Sequence, residues 1–229
     1  MLAIASALEE VLKRRESRTT DCSGSSSPDA AMLLAREILA CAPEGLKRLS
    51  AALRAGLEDA SRRIDRVSVA VTGLAWLGSG VPSVEQEMIA LVRNARREIM
   101  LCAYAITSSA VPFLAHIAEV VGQGVVATIA LNGFSRHPSQ VQTHLKNLAR
   151  QYPERWHLRD FDPGINETEL HAKVLVVDRS AALVGSANLS FHGMSVNHEM
   201  AVVVRGPAAE SVAARIDLLL KATQPVPVD

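Results

Sequence analysis

The chain has 229 residues, 48% apolar and 21% charged, enough for one large globular domain or a domain with a helical extension. Lys plus Arg and Asp plus Glu are 24 each, which excludes a polybasic tail protein and an acidic disordered chain but allows a local basic surface. Aromatic residues are only 3%, too few for an extended platform that stacks bases or sugars.

Residues 1–66 read as a small helical N-terminal region. Leu2, Ala5, Leu8, Val11 and Leu12 recur at helical spacing, as do Met32, Leu33, Arg36, Leu39 and Ala40, with Arg36 the one charged member. Ser17 to Pro28, between them, is rich in Ser, Thr and Gly and reads as a loop. A third stretch, Pro43 to Arg63, carries a stripe of Leu46, Leu49, Leu53 and Leu57, either a local core or a docking surface for a protein partner. In the first 17 residues Glu9 and Glu10 interrupt the apolar part and the basic cluster follows it, the reverse of a secretory signal. The longest mostly apolar stretch, Val67 to Val81, includes Gly73, Gly78 and Gly80 and is too short to span a bilayer. Cys22, Cys41 and Cys102 form no C-x-x-C pair, so neither a zinc ribbon nor a disulfide framework is supported. These features together predict a cytoplasmic protein without membrane association.

The texture changes at Val67, where residues 67–229 read as one domain. Val67, Val69 and Val71 alternate with small residues as in a strand, and Gly78-Ser79-Gly80 reads as a plain turn. Ser83-Val-Glu-Gln86 is a capping box that opens a helix to about Arg97. REIMLCAYAI is a predicted strand, Ser109–Gly122 a helix, VVATIALNG a strand, Pro138–Gln151 a helix and ERWHLRD a short strand. After the loop FDPGINETE, the segments LHAKVLVVD, AALVGSAN and EMAVVVRG read as three strands, and Pro207–Lys221 as a closing helix. The order predicts an α/β fold, a mixed β-sheet with helices on both faces.

One segment carries chemistry: His171-Ala-Lys173-Val-Leu-Val-Val-Asp178, followed by Gly185-Ser186-Ala187-Asn188. Residues two apart on a strand project from the same face, so His171 and Lys173 are expected to point together. The returning segment can bring Ser186 and Asn188 beside them. Imidazole is a nucleophile at neutral pH, an ammonium neutralises phosphoryl oxygens, and a hydroxyl and an amide donate hydrogen bonds to them. No carboxylate or Cys/His cluster has metal-ligand spacing; His137 and His144, seven apart on a predicted helix, read as surface residues. The run Ser135–Arg159 holds Arg136, Lys146, Arg150, Arg155 and Arg159 against Glu154 alone, either a groove for a phosphate backbone or a solvated helix face. Cys102 lies in a buried strand pattern and reads as inert.

The pattern H-x-K-x4-D followed by G-S-x-N resembles the phospholipase D superfamily, and the likeness extends over roughly residues 83–225. H-x-K-x4-D alone would arise by chance in roughly one chain of this size per hundred; the added G-S-x-N seven residues past the Asp makes coincidence remote. The resemblance implies that His171 forms a phosphohistidine and that Lys173 and Asn188 bind the phosphate, with Ser186 lining the site. It implies a mainly structural role for Asp178, within the same motif as Gly185. Glu199, in Asn197-His198-Glu199, matches a later acid that hydrogen-bonds the histidine and fixes its tautomer. No metal or other cofactor is implied.

The mechanism implied by the resemblance needs two histidines, one to attack phosphorus and one to protonate the leaving oxygen. None of the other histidines has a Lys two residues later, so a homodimer sharing its active site across a twofold axis is expected. The single motif and the basic run favour a nuclease acting on DNA or RNA, as in small single-motif bacterial endonucleases of the superfamily. A phospholipase or phosphatidyl transferase is the second expectation, and a non-catalytic scaffold subunit the third. A helical extension followed by one motif also resembles the phospholipase-D-like component of the DISARM anti-phage defence system, which implies a bacterial source and protein partners of a defence complex.

Overall fold

The computed structural model describes residues 65–228, together with Ala51 and Arg54. The three expected N-terminal helices, the Ser17–Pro28 loop, the leucine stripe, Cys22 and Cys41 lie outside the described residues, and a compact unit opens at Asp65.

Eight strands form one mixed sheet: β1 (Arg66–Thr72), β2 (Glu98–Ala103), β3 (Val126–Asn132), β4 (Trp156–Phe161), β5 (Lys173–Val177), β6 (Ala181–Gly185), β7 (Glu199–Arg205) and β8 (Gln224–Pro225). Their order across the sheet is β1-β7-β6-β5-β2-β3-β4-β8. β2, β3 and β4 run parallel, joined by α2 (Val111–Gly122) and α3 (Ser139–Gln151), as parallel neighbours require. β2 pairs antiparallel with β5, and the β5-β6-β7-β1 half is antiparallel throughout.

Helices cover both faces, unequally. On one face α1 (Val84–Arg93), α2 and α3 bury Leu101, Ile129 and Leu175 beneath residues such as Leu91, Phe113 and Leu145. On the other, α5 (Pro207–Leu220) lays Ala209, Ala213 and Ile216 over Met100, Cys102 and Val176. Strands buried on both sides carry unbroken apolar runs, hence VLVV in β5. Beyond α5, Val69, Val184 and Val202 stand in one cross-strand row and remain about 40% exposed (40%, 41% and 39%).

Two expectations change. The Ser83/Gln86 capping box forms with both reciprocal bonds, but α1 ends at Arg93 rather than near Arg97. The reason is Asp178, whose carboxylate accepts the backbone N–H groups of Arg96, Arg97 and Glu98 at 2.9, 2.7 and 3.0 Å and pulls the chain into β2. The FDPGINETE loop contains a single helical turn, α4 (Pro163–Asn166), capped by Asp162. The short β8 was not legible. It is held by Arg159, whose guanidinium donates to the carbonyls of Leu220 and Thr223 and to the Thr223 hydroxyl.

Candidate active site

The site lies where the carboxyl ends of β2 and β3 meet the amino end of β5. Lys173 is the first residue of β5, on the face shared with Leu175 and Val177. His171 precedes the strand instead of belonging to it; its N–H donates to Glu169 O at 3.1 Å. Strand alternation therefore does not bring the pair together. The Lys173 side chain does so by folding back: Nζ lies 3.1 and 3.3 Å from the ring nitrogens of His171 and donates to the His171 carbonyl at 2.9 Å. Burial lowers the pKa of Lys173, and the nearby carboxylate of Glu199 opposes that shift.

The G-S-x-N segment arrives from β6. Gly185 pairs with Lys173 on one side and Ala201 on the other. A Cβ at Gly185 would sit 2.7 Å from the Ala201 methyl and 3.0 Å from the Met200 carbonyl oxygen, so only glycine lets β6 and β7 close here. Ser186 follows, donating its hydroxyl to Glu199 and accepting the Met200 N–H at 3.3 Å. Asn188 is placed by its neighbour Leu189, whose N–H and C=O bond Ala105 and Thr107 just past β2. Behind it, Gly193 packs so closely that a Cβ would fall 2.8 Å from the Asn188 nitrogen. The side-chain oxygen of Asn188 is buried and has no partner. An unpartnered buried acceptor at a site open to solvent is a place for a ligand donor or a water.

Glu199 does not bond His171 within the chain. Its carboxylate accepts from Ser186 and, at 3.3 Å, from Asn197. The sheet order explains this: Glu199 stands on β7, beyond β6, whereas His171 leans the other way, over Tyr104 at the end of β2. Asp178 is not part of the site. It sits past the far end of β5, where its carboxylate organises the start of β2.

Sequence reasoning missed Tyr104, Glu169 and Asn132. The Tyr104 and His171 ring centroids are 4.4 Å apart at 52°, and Lys173 Nζ is 5.1 Å from the Tyr104 centroid. A cation over an aromatic ring contributes about 0.5–1 kcal/mol at an exposed site. The carboxylate of Glu169, beside the phenol, holds its pKa above the ordinary value. Glu169 also pairs with Arg136 at 3.2 Å. Asn132, buried at the end of β3, accepts the Leu170 N–H at 2.8 Å, one residue before His171. The available signal was positional: in sheets with parallel strands, ligands gather at the carboxyl ends, and Tyr104 and Asn132 stand there.

The remaining expectations resolve unevenly. His137 is buried rather than on the surface, because its Nδ1 accepts the Ile106 N–H at 3.3 Å; burial lowers its pKa. His144 is partly buried. The basic run does not line a single groove: Arg150 and Arg159 border one cavity, where Arg159 is tied to the C-terminal segment, while Arg136 reaches the site through Glu169 and Arg155 lies over Tyr152. Burial pushes the Cys102 thiol up to about 12, so it stays protonated and inert at neutral pH. Among the described residues no three His, Cys, Asp or Glu side chains group as a metal site, and no helix is long and apolar enough to cross a membrane.

Comparison with known proteins places these features. A family model described as the PLD-like domain of cardiolipin synthase matches residues 88–219. The DISARM protein DrmC of Bacillus paralicheniformis is 29% identical over 117 residues, which are 51% of this chain and 47% of that protein. The match thus spans about half of the curated relative. Among solved structures, Nuc from Salmonella typhimurium, a phospholipase D family member, aligns with a TM-score of 0.57 at 20% identity, over 71% of this chain and 99% of its own. NucT from Helicobacter pylori gives 0.55 at 17% identity, over 71% and 100%. A phosphatidylserine synthase from Haemophilus influenzae gives 0.56 at 14% identity, over 72% and 40%. At these identities the three share a fold with this chain.

Proposed function

This chain belongs to the phospholipase D superfamily, and on that footing we propose that it is a metal-independent phosphodiesterase that cleaves DNA or RNA as a homodimer. The observation that carries the reading is the convergence of the His171 imidazole and the Lys173 ammonium, 3.1 Å apart, at the strand end where Gly185, paired with Lys173, brings in Ser186 and Asn188. A ring nitrogen of His171 attacks phosphorus, and the bond from phosphorus to the leaving oxygen breaks. The Lys173 ammonium and the amide N–H groups of Asn188 donate to the non-bridging oxygens as negative charge builds. The partner subunit's His171, protonated, gives its proton to the leaving oxygen. Now neutral, it takes a proton from water; the hydroxyl oxygen bonds phosphorus, the P–N bond breaks and His171 is released.

Two features support a shared site. One imidazole cannot begin both as free base and as acid, and no second histidine bonds the His171–Lys173 pair among the described residues. The flank next to Glu199 is also apolar. Thr72 pairs with Glu199, and the loop that follows is docked on it by His198, whose Nε2 accepts the Ala75 N–H at 3.2 Å. That loop holds Leu74 and Leu77 out to solvent, each 76% exposed, with Phe191 and Val196 exposed nearby. A seam with a second copy on this flank would bury the rim.

The same rim favours a second reading, a lipid phosphodiester substrate, and the fold is shared with a phosphatidylserine synthase. The likeness to a DISARM protein supports a role in anti-phage defence with protein partners. The deciding experiment incubates wild type and His171→Ala with plasmid, single-stranded DNA, RNA and phosphatidylcholine, each with and without EDTA. Nucleic-acid cleavage that survives EDTA and disappears in the variant is the expected result. Lipid turnover alone establishes the second reading. Silence on every substrate points to a non-catalytic scaffold.

A further inference from the structure

We propose that Tyr104 is the positioning residue of this site, a ring packed on His171 that sets the imidazole plane and keeps the Lys173 ammonium beside it. This rests on the phosphodiesterase reading of His171 and Lys173. It starts from a difficulty: the nucleophile is poorly held by everything else. His171 is exposed and lies outside the β5 ladder, and the Glu199 carboxylate is engaged by Ser186 and Asn197. The ring contacts of His171 are Lys173 Nζ, itself on a flexible stem, and the Tyr104 ring.

Tyr104, by contrast, stands on rigid ground. Ala103 before it is buried in β2, and Ala105 and Thr107 after it bond both backbone groups of Leu189. The ring packs on His171 at 4.4 Å between centroids, and Glu169 on the neighbouring segment is braced by Arg136. Glu169 and His171 flank Leu170, which is buried and whose N–H is fixed by Asn132. The segment is therefore pinned at its middle, and Tyr104 sets the angle of the residue that projects from it. The ring also faces the ammonium, 5.1 Å from its centroid, so one side chain orients both the nucleophile and the phosphate-binding cation.

The ring does the positioning, so the variants separate ring from hydroxyl. Tyr104→Phe keeps the ring, and its kcat should stay within about threefold of wild type. Tyr104→Leu removes it, and kcat should fall on the order of 100-fold with KM changed far less, the cost of a misplaced reacting group. A spectroscopic readout stands apart from activity. The ring current of Tyr104 should shift the carbon-bound ring protons of His171, assigned by their loss in His171→Ala; the shift persists in Tyr104→Phe and vanishes in Tyr104→Leu. Leu activity equal to wild type overturns the proposal, and so does a Phe variant as inactive as Leu, which would make the hydroxyl the acting group. If Tyr104→Leu does not fold, the shift in wild type and Tyr104→Phe still decides, and its absence overturns the proposal. A wild type inactive on every phosphodiester sinks the phosphodiesterase reading instead, and leaves the ring-current result to judge Tyr104.

Discussion

At the Asp178 end of β5, polar groups satisfy one another. The Asp178 carboxylate takes three backbone N–H groups, and Arg179 bonds Glu98 and Asp217, both at 2.6 Å. The Arg179 bond holds the Asp217 carboxyl below its usual range. The turn itself is strained, because Asp178 and Arg179 have φ of 52° and 57° in the left-handed region, and these interactions offset that strain. At the Lys173 end, by contrast, the groups stay available: His171 is exposed and the Asn188 oxygen has no partner. Two residues of one motif, five apart, thus stand at opposite ends of a strand with opposite tasks. A closed network stabilises the fold; an open one leaves polar groups free to meet a ligand.

The sharpest way to break this contrast is His171→Ala. It should lower kcat by about 10³-fold or more while the melting temperature hardly moves, because the proposed nucleophile is exposed and contributes little packing. A parallel loss of stability would show that the open end is also structural.

Next comes the rim. Leu74→Asp with Leu77→Asp should turn a dimer into a monomer and abolish activity with His171 intact, read by light scattering and by cleavage assay. A wild type that is monomeric and active removes the shared site altogether. A variant that remains dimeric moves the seam elsewhere.

Gly193→Ala probes how finely Asn188 is held. The added methyl collides with the Asn188 backbone, and a displacement of about 1 Å can cost roughly 100-fold in kcat. Unchanged kcat would show that Asn188 does not touch the reacting phosphate.

At the closed end, Asp178→Asn should lower stability by about 1–3 kcal/mol in urea unfolding, since a neutral amide replaces a charged acceptor of three N–H bonds, and leave kcat unchanged below the melting range. Lost activity in a folded variant would join the two ends functionally.

The smallest effect is in the pH profile. In the proposed mechanism Lys173 acts only as the ammonium, and burial lowers its pKa. Activity should therefore fall as pH rises through that lowered value, earlier than an ordinary lysine would dictate. Lys173→Arg, which holds its proton far longer, should move that limb upward.

Much of this molecule was legible in its residues. The alternation of apolar runs with helical periods gave the mixed sheet, Ser83 and Gln86 announced α1, and the H-x-K and G-S-x-N spacings marked the groups that meet. Three things were not legible for one shared reason. The length of α1 depends on Asp178, about 80 residues downstream. The burial of His137 depends on Ile106, and the seat of His171 on Tyr104. Each is a contact between strands or loops far apart in sequence.

Local pattern determines which chemistry the chain carries, because a side chain's reactivity and a strand's period are properties of the residue and its near neighbours. Tertiary structure alone decided who stands beside whom. The order β7-β6-β5-β2 places Glu199 on one flank of His171 and Tyr104 on the other, and strand order is set by how the whole sheet buries its two faces.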